Sequence, residues 1–123
     1  MILVDTSIWV DHLRFGEEWL VRLLDQSLVL IHPFVIGEIA LGRLRQRALV
    51  MTLLQDLPSA IVATDAEVLG FIDRDSLSGF GIGYVDAHLL AATRLTGGAR
   101  LWTRDKRLSA VAARLALAAE FAS

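Results

Sequence analysis

The chain has no cysteine, two prolines, one tyrosine and a single lysine among its 123 residues. The missing cysteine excludes disulfides, zinc–thiolate centres and cysteine nucleophiles, and fits a reducing, cytoplasmic setting. Charged residues make up 21% and apolar residues 54%, a balance that excludes a disordered chain. No uncharged run approaches the roughly 18 residues needed to span a bilayer. The start, Met1-Ile2-Leu3-Val4-Asp5, has no basic n-region, so neither a leader nor a membrane association is expected. A net charge of −2 argues against a general nucleic-acid coat protein. The scarcity of lysine leaves arginine to carry the positive charge, in two clusters: Arg43, Arg45, Arg47 and Arg100, Arg104, Lys106, Arg107. Arginine is the better residue for bidentate phosphate contacts.

One domain over residues 1–123 is expected at this length. Ile2–Val4 reads as a short buried strand, and Asp5-Thr6-Ser7 as the cap of a helix to about Arg14. Leu20, Leu23 and Leu24 give Glu17–Gln26 a helical period. Leu28–Ile31 is a second strand. Pro33 suits the first turn of a helix. Phe34–Leu44 is apolar almost all round, so it is expected to be buried rather than amphipathic. A helix around Arg47–Leu54 follows, and Ile61-Val62-Ala63 reads as a third strand after Pro58. Thr64 and Glu67 form a capping box for a helix to about Asp75. Ser78–Gly83 is a glycine-rich loop, without the Lys-Ser/Thr of a phosphate-binding loop and too irregular for a dinucleotide fingerprint. A helix to Leu95, a strand at Leu101–Thr103, a helix at Lys106–Leu115 and an edge strand at Leu117–Phe121 complete the pattern. Alternating strands and helices predict an α/β fold: a central parallel sheet of four to five strands with helices on both faces.

Four carboxylates stand at the edges of hydrophobic segments: Asp5, Glu38, Asp86 and Asp105. Asp5, Asp86 and Asp105 fall at predicted strand-to-helix junctions, where helix capping alone would explain each. Glu38 falls in the middle of an apolar helix, where capping does not explain it. Buried carboxylates without partners are costly, so a fold that gathers several needs cations to hold them. Hard ions such as Mg²⁺ or Mn²⁺ take such all-oxygen sites, and ligands of open parallel sheets gather beyond the carboxyl ends of the strands. The histidines His12, His32 and His88 make no ligand pattern, and surface or capping roles are expected of them. The spacing of Trp9, Trp19 and Trp102 offers no base-stacking platform. Ser7 at the second position counts against an Asp-x-Asp phosphatase motif, and the lack of an acidic pair at the first strand counts against a receiver domain.

Val4-Asp5-Thr6-Ser7-Ile8-Trp9, Gly37-Glu38-Ile39-Ala40-Leu41-Gly42, Asp86-Ala87-His88-Leu89-Leu90-Ala91-Ala92-Thr93 and Leu101-Trp102-Thr103-Arg104-Asp105 resemble, in order, the successive motifs of PIN-domain nucleases. More narrowly they resemble those of VapC-type toxins of bacterial toxin–antitoxin pairs. The likeness runs over the whole chain and implies a PIN-like fold. It implies a Mg²⁺- or Mn²⁺-dependent endoribonuclease that hydrolyses RNA by metal-activated water and leaves 5′-phosphate and 3′-hydroxyl ends. Carried over by motif, Asp5, Glu38, Asp86 and Asp105 would hold the metal. Ser7 and Thr103 would support it with hydroxyls, and Arg104, Lys106 and Arg107 are the residues expected to grip the RNA backbone. The resemblance further implies a cognate antitoxin, and the small size and excess of apolar residues suggest exposed hydrophobic surface for a homodimer or that partner. The competing expectation is a partner-binding PIN module with weak or no nuclease activity.

Overall fold

Three short apolar runs pair into a parallel sheet, and the helices between them carry the chain back for each new strand. The computed structural model describes residues 1–121. The elements are β1 (Ile2–Val4), α1 (Thr6–Phe15), α2 (Glu18–Asp25), β2 (Val29–Leu30), α3 (Pro33–Ala40), α4 (Arg47–Asp56), α5 (Asp65–Arg74), α6 (Tyr84–Leu95), β3 (Arg100–Trp102) and α7 (Lys106–Arg114). The strand order is β2-β1-β3, with Leu3 opposite Leu30 on one side and Leu101 on the other. Successive strand residues point to opposite faces. Leu3 and Val4 are both fully buried, as are Val29 and Leu30, so both faces of the sheet are covered, as an α/β fold requires.

The sheet has three strands among the described residues, not four to five. The expected outer strands are reduced to single bridges, Ile31 with Ser59 and Leu101 with Ala118. Around Ser59 the Ile31 N–H bonds the Pro58 carbonyl and the Ala60 N–H bonds the Ile31 carbonyl, both at 2.9 Å, and past Ala60 the chain leaves the ladder. The Ile61 N–H goes to the Thr96 hydroxyl at 2.9 Å, and Ile61 and Val62 are exposed. At the other edge Leu101 N–H reaches Leu117 and Ala119 N–H reaches Leu101, a pairing one residue deep.

Helix α3 also departs from expectation. It ends at Ala40 rather than Leu44, because Arg47 donates to the carbonyls of Ala40 (2.6 Å) and Gly42 (3.4 Å) and so satisfies its C-terminus. Only Val35 and Ile39 of this helix are buried. Phe34, Gly37 and Glu38 face solvent, and Leu41, just past the helix, is 90% exposed.

His32 and His88 are buried rather than superficial. His32 does cap α3, with Nδ1 accepting from the Phe34 N–H at 3.0 Å. Burial first, and neighbouring His88 second, pull the His32 pKa down to about 4. The unfolded chain therefore takes up this proton before the folded one does. The stabilisation is fully present above about pH 6.5 and is lost as pH falls from there toward 4. At pH 4.5 the loss amounts to at most roughly 2–3 kcal/mol. Urea unfolding at pH 7 and pH 4.5 is expected to show this loss in the native chain and a shallower slope in His32→Asn, which keeps a capping oxygen. Equal slopes in the two chains would remove His32 as the cause.

Candidate active site

The sheet edge beyond β1 and β3 is where the connections diverge. From β1 the chain moves to β2 on one side, and it later returns to β3 on the other. That reversal opens a crevice at the carboxyl ends of the strands. Asp5 leaves β1 there and Thr103 leaves β3. The Asp5 N–H bonds the Trp102 carbonyl at 2.9 Å, so the two loop starts are locked side by side.

Asp5 is 7% exposed. It occupies the N-cap position of α1, yet its side chain caps nothing. Instead Oδ2 accepts from the Thr103 hydroxyl at 2.7 Å and the Ser7 hydroxyl at 3.0 Å. Ser7 Oγ in turn accepts from the Arg104 N–H at 3.0 Å, and Thr103 Oγ1 from the Asp105 N–H at 3.1 Å. Both expected supporting hydroxyls therefore hold Asp5. Next door, Thr6 Oγ1 donates to Glu38 Oε1 at 2.8 Å and ties α3 to the start of α1. Asp86, in the first turn of α6, accepts from the Gly83 N–H through Oδ2 at 3.0 Å. Asp105 caps α7, accepting from the Leu108 N–H through Oδ1 at 3.0 Å.

Each carboxylate thus gives one oxygen to its own scaffold. No donor reaches the other oxygen of any of the four among the described residues: Oδ1 of Asp5 and Asp86, Oδ2 of Asp105, Oε2 of Glu38. Capping and ligation are therefore compatible. The charges of the other three carboxylates reach Asp86. The Asp86 carboxyl is held above the usual carboxylate range, chiefly by partial burial and further by the charges of Asp5, Asp105 and Glu38, against the lowering pull of the Gly83 N–H.

The burial expected of these acids holds for Asp5 and in part for Asp86, whereas Glu38 and Asp105 are exposed. Glu38 is therefore no core charge in need of rescue. Its significance lies in the Thr6 bond and in the field it adds at Asp86. Among the described residues no three acidic or imidazole groups come together so as to hold a metal ion as they stand. Asp5, Glu38, Asp86 and Asp105 form no ion pair with arginine or lysine among the described residues, and together they offer only carboxylate oxygens. That suits a hard cation such as Mg²⁺, which is commonly held through one or two carboxylates and keeps several of its waters.

The expected cations separate. The Arg104 guanidinium pairs with both Asp11 and Glu17, and those bonds keep it firmly protonated, Glu17 most of all. It staples the loop after β3 to α1 and to the start of α2, so its charge is neutralised and it is not a free grip for phosphate. Lys106 and Arg107 are exposed and form no ion pair among the described residues. Arg107 lies across Gly81, where a β-carbon would come within 2.8 Å of its Nη1. The φ of +76° is what favours glycine there, since the Arg107 side chain is flexible enough to move aside. Lys106, Arg107 and Arg114 line a cleft of about 280 Å³ with Phe80. The contributions of Thr6, Gly83, Asp11 and Glu17 were not foreseen from the sequence. Only Thr6, inside the Asp-Thr-Ser motif, carried a local signal.

A family model described as PIN domain matches residues 2–114. The protein Ribonuclease VapC32 of Mycobacterium tuberculosis, from strain CDC 1551 / Oshkosh and from strain ATCC 25618 / H37Rv, is 52% identical to this chain over 113 residues, covering 92% of this chain and 91% of the relative.

Proposed function

The chain belongs to the PIN-domain family and is a VapC-type ribonuclease toxin, and from that membership we propose that it is a Mg²⁺- or Mn²⁺-dependent endoribonuclease cleaving RNA at the Asp5–Glu38–Asp86–Asp105 rim. The observation that carries the metal reading is the free oxygen on each of the four carboxylates, aimed at no protein donor among the described residues. Asp5, Glu38, Asp86 and Asp105 would hold the divalent cation, which would supply activation of water and neutralisation of charge developing on the phosphate. The chain's own part is to fix the rim. Ser7 and Thr103 orient Asp5, Thr6 orients Glu38, and the first turns of α6 and α7 orient Asp86 and Asp105. Lys106 and Arg107 hold the RNA backbone beside Asp105 by charge.

The test is cleavage of RNA by the purified chain in Mg²⁺ or Mn²⁺, with 5′-phosphate ends mapped and activity lost in EDTA. Cleavage undiminished by EDTA would overturn the metal reading. The supporting hydroxyls make a finer prediction. Thr103→Val removes the 2.7 Å donor to Asp5 and is expected to cost about 10- to 100-fold in kcat/KM and to weaken metal binding. Thr103→Ser should restore most of both. A valine variant as active as the native chain would assign Thr103 to the fold alone.

A groove beside Glu38, lined by Leu13, Phe15 and Leu44 together with Arg14, Arg43 and Arg45, supports the partner part of the proposal. We assign it to a small antitoxin whose inserted segment presents apolar side chains and carboxylates to these residues. An arginine of that partner would pair with the rim in place of the cation. A homodimer in the cytoplasm completes the proposal. Among the described residues no helix is long and apolar enough to cross a membrane.

A further inference from the structure

Two exposed aromatic rings, Phe34 and Tyr84, sit on α3 and α6, the helices that carry Glu38 and Asp86, and neither is needed to hold a metal or a phosphate. Phe34 lies one turn before Glu38 on the same face of α3 and is 38% exposed. Tyr84 opens α6, follows Gly83, whose N–H holds Asp86, and is 46% exposed. Both pack against one imidazole. Phe34 meets His88 at 4.8 Å and 62°, and Tyr84 meets it at 4.7 Å and 88°. His88 itself is buried, and its Nε2 bonds Asp65 Oδ1 at 3.1 Å. The Tyr84 hydroxyl bonds the same oxygen at 2.9 Å. Phe34 is braced a second time, edge-on to His32 at 5.0 Å and 68°, on a backbone whose N–H is taken by the His32 ring. These edge-to-face contacts leave ring surface open to solvent while fixing where each ring stands.

We propose that Phe34 and Tyr84 form a stacking platform for unpaired RNA bases flanking the phosphate held at the carboxylate rim. This rests on the ribonuclease reading above and deepens it. An aromatic face takes any base, and a pre-fixed ring loses little freedom on binding. Bases inside a duplex are already stacked and out of reach. The two rings sit on the elements that carry Glu38 and Asp86, while the free cations Lys106 and Arg107 sit on α7 beyond Asp105. On this reading bases stack on the rings of α3 and α6 while backbone phosphates meet the cations of α7. The apolar exposure of Phe34, which a buried α3 would not have shown, is what the platform uses. Tyr84 contributes its ring, and its hydroxyl serves only to anchor that ring to Asp65.

The test measures binding and cleavage separately. Fluorescence anisotropy without added divalent cation reads the affinity for a single-stranded oligoribonucleotide, and initial rates in Mn²⁺ read KM and kcat. Phe34→Leu and Tyr84→Leu are each expected to raise Kd and KM about 10-fold, with kcat within about twofold of the native chain. Tyr84→Phe should bind as the native chain does. Melting temperatures check that each variant is folded. An abasic nucleotide, moved through the positions flanking the mapped cut, tests the same contact on the unaltered protein. It should cost about 10-fold at one or two positions and add little to the Leu variants. Leu variants with native affinity, or an abasic penalty that persists in full when the rings are gone, would overturn the platform. Aromatic-dependent binding without any cleavage by the native chain would instead sink the nuclease reading and leave the platform standing.

Discussion

Asp5→Asn is expected to lower RNA cleavage by at least about 10³-fold while leaving the folded chain as stable as before, or more so. The first effect follows from the loss of a ligand charge at the point where the cation would meet the phosphate. The second follows from the hydrogen bonds. An asparagine Oδ1 still accepts from Thr103 and Ser7, which hold the native side chain at 2.7 and 3.0 Å. Removing one of the carboxylates whose charge reaches Asp86 also relieves repulsion on the order of 0.5–1 kcal/mol in the metal-free protein. Added Mn²⁺ should raise the melting temperature of the native chain, since a ligand that binds only the folded state stabilises it, and should raise that of the variant much less. Asp5→Asn with near-native cleavage would sink the site assignment. A variant that is inactive but also markedly less stable would make Asp5 a structural residue instead.

Much of this site is legible in the amino-acid sequence, for a physical reason. A strand that ends in a carboxylate places it at the sheet edge, and helix starts accept carboxylates, so Asp5, Asp86 and Asp105 follow from local pattern alone. Their convergence follows from the parallel topology. The hydroxyl support from Ser7 and Thr103 came through resemblance, and the bonds to Asp5 give that carry-over a physical basis. What the sequence does not contain is burial. Phe34–Leu44 is apolar almost all round, and hydropathy cannot separate core from exposed apolar surface. Glu38 is therefore expected in the interior, whereas it stands on the exposed face, held by Thr6. Arg104 shows a second limit. Its neighbours in sequence are Asp105 and Lys106, but its partners are Asp11 and Glu17, far away along the chain. No local pattern announces such a pairing, and it turns an expected phosphate grip into a staple.

The sheet is smaller than expected for a related reason. Ile61-Val62-Ala63 has the composition of a strand, but β-propensity describes side chains that fit a pleated surface, not which backbone groups find partners. Here the Ile61 N–H finds the Thr96 hydroxyl. With three strands among the described residues, the load is concentrated on the middle strand.

Leu3→Ala is accordingly expected to produce the mirror image of Asp5→Asn: a large loss of stability with little loss of chemistry in the molecules that remain folded. Leu3 is fully buried on β1, between Leu30 and Leu101. Truncating a buried leucine costs about 2–5 kcal/mol, the more so where the surroundings cannot collapse into the space. Backbone pairing on both sides resists collapse here. Against a total stability of roughly 5–15 kcal/mol, such a loss is visible as a lowered urea midpoint with an unchanged slope. The Asp5 backbone is held by its bond to Trp102 at 2.9 Å and its side chain by Ser7 and Thr103, none of which involves the Leu3 side chain. Cleavage per folded molecule should therefore stay within a few-fold of native at temperatures well below the midpoint. A loss under about 1 kcal/mol would mean that the middle of the sheet is not packed as described. A large fall in activity of the folded fraction would mean that Asp5 is positioned by the core of β1 and not by its hydroxyl network.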